Sequence, residues 1–160
     1  MRQGQVIIVG LLFVALAGRP SRAAAAQDAA AEAPLVATPS LHDVAMTRVV
    51  DGHPVIYYNP ALMTEIGPML SRFFVMHERG HIAGGHSGSA LADPTFTGNA
   101  LRLHQELEAD CYATQRLAAH DRAAVEAALD FFLRMGKRSF DALHPTGSQR
   151  AAKILACLPD

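Results

Sequence analysis

Residues 73–86 read FFVMHERGHIAGGH, and the placing of His77, Glu78 and His81 there governs how the rest of the chain is read. Four positions separate the two histidines, so on an α-helix both imidazoles lie on one face, one turn apart. That spacing suits two nitrogens at about 2.0–2.1 Å from one zinc ion. Glu78 follows His77 directly and projects beside such an ion, where it can take a proton from water. Apolar residues at Met69, Leu70, Phe73, Phe74 and Met76 predict a largely buried helix from Pro68 to about Gly84. Two unpaired imidazoles are costly to bury in such a helix, which favours a shared ligand over a merely polar face.

A third ligand must come from elsewhere. In the pattern H-E-x-x-H-x-x-G-x-x-H, Gly84 fits but the last position is Ser87, and His86 misses the register by one residue. The alternative is a carboxylate on a following helix. In QELEAD (residues 105–110), Glu106 and Asp110 are four apart and share a face. Glu106 can complete a His₂Glu set that keeps a fourth position open for water. Asp110 can accept the spare ring N–H of a ligand histidine, His77 first, and so fix its tautomer. Glu108 points elsewhere and is expected in solvent, and His104 is a weaker rival ligand.

Three segments in order make the chain resemble the gluzincin metallopeptidases, nearest the HtpX and CAAX-prenyl-endopeptidase (Ste-type) family, in compact form. HERGHIAGGH is similar to that family's H-E-x-x-H segment with its extra histidine, here His86. ELEAD-CYA is similar to its E-x-x-A-D-x-x-A helix, and HPTGSQRAAKIL to its closing H-P-x-x-x-x-R helix, with His144 and Arg150 in place. The resemblance implies Glu106 as third ligand and Asp110 as orienting acid. It also implies that His144 or Arg150 faces the active site and holds the substrate carbonyl or the oxyanion. His86 is read as a residue that closes the catalytic helix. One departure is Arg79-Gly80 between the histidines, where glycine weakens a helix by about 1 kcal/mol relative to alanine; close approach of a neighbouring helix would explain it.

Elsewhere, two β-branched or aromatic runs between Val44 and Tyr58 flank Asp51-Gly52, a hairpin signal. Pro54, without an amide hydrogen, points to an edge position for the second strand, whose edge would dock an extended substrate. Further helices are expected at Pro60 to Ile66, from Asn99 as N-cap to Ala119, from Asp121 to Met135, and from Thr146 or Ser148 to Leu158. On the third of these, Val125, Leu129, Phe132 and Leu133 should share a buried face. Gly84-Gly85 and the stretch HSGSALADPTFTG (residues 86–98), rich in Gly, Ser and Pro, read as a loop. The expected fold is α+β, a small β-hairpin or sheet packed on a helical, zincin-like body.

The first residues are set apart by composition. Arg2 precedes an apolar run at residues 6–17 (VIIVGLLFVALA), and Ala24 and Ala26 fit an A-x-A cleavage rule, with Ala15 and Ala17 as a second site. A run of this length is short of the roughly 20 residues needed to span a bilayer. The expected organisation is therefore a signal peptide at 1–26, a flexible leader at 27–40 and a metallopeptidase domain at 41–160, exported to the periplasm or beyond. Removing 1–26 takes three arginines and no acid, so the formal charge falls from −1 to −4. Nothing in that balance draws nucleic acid or anionic lipid, and no stable membrane insertion of the mature chain is expected. Cys111 and Cys157 permit one disulfide, worth about 3–4 kcal/mol in the loop-entropy model; the alternative is two small buried thiols.

The function expected is a zinc-dependent, secreted metalloendopeptidase, with Glu78 as general base and a peptide or protein as substrate. Two other readings stay open: a catalytically silent zinc-binding or chaperone-like module, and an amidase acting on cell-wall peptides.

Overall fold

Asp51 and Gly52 both adopt positive φ (50° and 81°), the backbone that a two-residue hairpin turn requires. The turn pairs Val50 with His53 and sets the register of two antiparallel strands. The computed structural model describes residues 21–86 and 96–159. Within them the chain runs α1 (Arg22–Glu32), β1 (Leu35–Ala37), β2 (Ala45–Val50), β3 (His53–Tyr58), α2 (Pro60–Ile66), α3 (Pro68–Ala83), α4 (Phe96–Leu117), α5 (Arg122–Met135) and α6 (Gly147–Cys157). Six helices and one three-stranded mixed sheet, among the described residues, make an α+β fold.

Several expectations are corrected. The sheet order is β1-β3-β2, so β3 is central and β1 and β2 are the edge strands. Pro54 is tolerated because β1 pairs in parallel only with Ile56 to Tyr58, beyond the proline. Residues 27–40 are not a free leader. α1 occupies the start of that segment and β1 its middle, while Ala30 and Ala33 are buried against Ala45, Ile56 and Ile82. The Arg79 guanidinium donates to the carbonyls of Ala30 and Ala31 and so satisfies the end of α1. The expected cleavage before Gln27 falls inside α1; α4 starts at Phe96, so residues 96–98 are helical rather than loop and Asn99 is no N-cap, while residues 6–17 and 87–95 lie outside the described residues.

α3 is the centre of the molecule. One flank packs on the sheet and α1 through Ile82, and the other meets α4, α5 and α6 through Leu70, Phe73 and Phe74. Phe74, Phe131 and Phe132 meet edge to face, with centroids 5.2–6.2 Å apart. Leu133, expected on the same buried face of α5, is 58 % exposed. It follows Phe132 by 100° around the helix and so leaves the stripe formed by Val125, Ala128 and Phe132. Asp121 precedes α5 but makes no side-chain cap; its carboxylate accepts from Arg72 instead. α6 begins with a capping box in which Thr146 and Gln149 satisfy each other's amides.

Gly80 decides how α3 meets α4. A Cβ there would stand 2.8 Å from the Cα of Ala109 and 3.0 Å from its carbonyl oxygen. Backbone therefore packs on backbone at Gly80 and Ala109, between His77 and His81 on one helix and Glu106 and Asp110 on the other. The Cys111–Cys157 disulfide then ties α4 to α6, one residue beyond Asp110. Among the described residues, no helix is long and apolar enough to cross a membrane.

Candidate metal centre

His77 and His81 project from the middle of α3 towards α4, with His77 Nε2 and His81 Nε2 3.1 Å apart. The Glu106 carboxylate straddles them, Oε2 lying 3.2 Å from His77 Nε2 and Oε1 3.3 Å from His81 Nε2. Tetrahedral coordination at about 2.0–2.1 Å separates ligand atoms by about 3.3–3.4 Å, close to all three spacings. Ligand atoms of His77, Glu78 and His81 also lie within 4.8 Å of one another, a group able to hold a metal ion.

Hydrogen bonding fixes what those atoms offer. His77 Nδ1 lies 2.9 Å from Asp110 Oδ1, so Nδ1 keeps a proton, and Nε2, which faces Glu106, is the atom that a metal could take in place of its proton. Asp110 is 0 % exposed and is gripped by Arg150, whose Nε and Nη2 donate to Oδ2 and Oδ1 at 2.8 and 2.5 Å. Burial opposes the Asp110 charge, but Arg150 and His77 outweigh it and hold the carboxyl below its usual range. Burial likewise opposes charge on Glu106, and hydrogen bonds from His77 and His81 lower it strongly. Burial acts against a proton on His77, yet Asp110 and Glu106 prevail and raise the imidazole to about 9.

The remaining expected residues divide. Glu78 is buried beside the pair, and Thr47 Oγ1 on β2 donates to its Oε2 at 2.8 Å. No local pattern marks Thr47, because only the folding of the sheet against α3 brings it there. His144 faces the cleft, with Nε2 3.9 Å from Glu106 Oε2 and Nδ1 2.8 Å from Asp141 Oδ1. Asp141 escaped the sequence reading, although its place three residues before His144 was a usable signal.

Arg150 does not serve the oxyanion role expected of it. It is 1 % exposed, turned to Asp110, and stacked 4.2 Å from the Phe132 ring centroid, where no substrate reaches. His104 also stands apart from the centre, largely exposed and paired with Glu108 at 3.3 Å. Glu108 is half-exposed as expected of a solvated acid, but it also meets His86 at 3.3 Å. Burial first, and the neighbouring His81 second, hold His86 below the ordinary histidine value.

Glu78, His81, His86, Glu106 and His144 line a cleft of about 610 Å³. Its walls include β2 from Ala45 to Val49, Glu78 and His81 of α3, Glu106 of α4, and Leu143 and His144 before α6. The chain matches no family model, no curated protein and no solved structure.

Proposed function

We propose that the protein is a zinc-dependent metalloendopeptidase of gluzincin type, with His77, His81 and Glu106 as ligands and Glu78 as general base. The observation that carries the reading is the spacing of those three ligand groups, 3.1–3.3 Å apart, with the Glu78 carboxylate beside them in an open cleft. A zinc ion held by these three residues would supply Lewis acidity, polarising the scissile carbonyl and lowering the pKa of an attacking water towards about 7.

The chain's own residues do the rest. Glu78 accepts the proton of the attacking water and returns it to the leaving amine. Thr47 holds one carboxylate oxygen of Glu78 in place. His144, held through its Nδ1–H by Asp141, turns Nε2 into the cleft, where the doubly protonated ring donates to the carbonyl oxygen as negative charge grows on it. Asp110 and Arg150 act behind His77, fixing its tautomer away from substrate. The open edge of β2 runs along the cleft and receives an extended peptide by strand addition. An exported location is supported by the Cys111–Cys157 bond, since such links persist in oxidising compartments.

The test combines metal analysis with digestion of a peptide library by wild type and Glu78→Gln. Stoichiometric zinc in both, with cleavage by wild type only, is expected. Zinc without cleavage by wild type would replace this reading with a zinc-binding module, and cleavage surviving in the variant would remove Glu78 as base.

A further inference from the structure

His81 has a neighbour that the hydrolytic scheme does not use. Past Ala83 the chain turns back through Gly84 and Gly85; Gly85 has φ 68°, and the His86 amide donates to the His81 carbonyl at 2.9 Å. The reversal lays the His86 ring over residue 84, where a Cβ would stand 2.3 Å from His86 Nε2 and 2.6 Å from Cε1. The ring fits only because that residue is glycine. From there His86 Nδ1 lies 3.1 Å from His81 Nδ1, and His86 Nε2 lies 3.3 Å from Glu108 Oε2.

We propose that His86 is a positioning residue: it accepts the Nδ1 proton of His81, turns His81 Nε2 to the metal, and is held in its accepting tautomer by Glu108. The inference rests on the metal centre proposed above and deepens it. Two neutral rings facing through their Nδ1 atoms need one proton between them. Were His86 to supply it, the proton of His81 would sit on Nε2 and close the lone pair that a metal needs. When His81 supplies it, the proton of His86 sits on Nε2, facing a carboxylate that only accepts. Glu108 therefore selects the arrangement that opens His81 to the metal. His77 is served in the same way by Asp110 at 2.9 Å. The two ligand histidines thus have separate supports, a buried acid for one and an imidazole for the other.

Zinc affinity of the purified full chain, measured by competition with a chromophoric chelator, tests this. His86→Ala should weaken binding about 10–100-fold. His86→Gln, whose amide oxygen accepts the same proton, should restore most of the loss. Gly84→Ala keeps the imidazole but displaces it, and φ of −78° at residue 84 accommodates alanine, so it should weaken binding with the fold intact. Glu108→Ala, on a half-exposed side chain, should also weaken it and serves if His86→Ala does not fold. Wild-type affinity in Gly84→Ala and Glu108→Ala, or equal losses in the alanine and glutamine variants of His86, would overturn the inference. A wild type that takes up no zinc would fail one step earlier, at the metal centre itself.

Discussion

His77 stands between two acids, Asp110 at Nδ1 and Glu106 at Nε2. Burial disfavours its charge, but hydrogen bonds to both acids raise it from 6.5 to about 9. The folded value lies above the unfolded one. In the metal-free protein these contacts therefore contribute stability that is complete below about pH 6.5 and lost as pH rises through about 9. A metal ion takes the place of that proton, so below about pH 9 uptake should release about one proton from His77 and affinity should climb with pH. Calorimetry in buffers of different ionisation heat reads the proton count, and no release at neutral pH would contradict the assignment. Arg150 poses a different question, since it is buried on Asp110, with Nη2 3.2 Å from His77 Nδ1. Arg150→Met leaves the Asp110 carboxylate without its cation and should cost about 3–5 kcal/mol in urea unfolding. A loss under about 1 kcal/mol, as for exposed pairs, would show that Asp110 is held by other means.

At the scale of elements, the α3–α4 contact sets the site. Alanine at position 80 gains about 1 kcal/mol of helix propensity, yet its Cβ would meet Ala109 backbone at 2.8 Å. Backbone cannot rotate away as a side chain can, so overpacking of about 1–3 kcal/mol should dominate. Gly80→Ala should lower the Tm and weaken metal binding together; a raised Tm would mean that the helices separate without cost. The same elements show what was legible in the sequence. His77, Glu78 and His81 sit within one helical turn, so local spacing displays them, and the Asp51-Gly52 turn is equally local. Glu106 and Asp110 were readable as a pair because their own spacing is helical. Thr47, and the bond between His86 and His81, depend on how the sheet and the Gly84-Gly85 reversal fold onto α3, which no periodicity records. β1 was missed for a related reason: three residues in an Ala- and Pro-rich stretch carry no strand pattern, and their parallel pairing to β3 is made across a distance in sequence.

Across the whole molecule, α3 is held from two sides, by the sheet with α1 and by α4, α5 and α6. The disulfide closes the second side by joining across 46 positions α4, which carries Glu106 and Asp110, to α6, which carries Arg150. Its removal in a Cys111→Ala/Cys157→Ala chain should cost about 3–4 kcal/mol by the loop-entropy relation, read as a lower urea midpoint. An unchanged midpoint would mean that packing alone fixes α6. The proposed function stands on a zinc ion held by His77, His81 and Glu106 between these layers. Zinc absorption spectroscopy on the purified chain tests it most directly. The expected spectrum has light-atom donors only, at about 2.0–2.1 Å, with outer scattering from two imidazoles, and it loses a donor in Glu106→Ala. A chain without stoichiometric zinc, or a donor set that Glu106→Ala leaves untouched, would contradict the account.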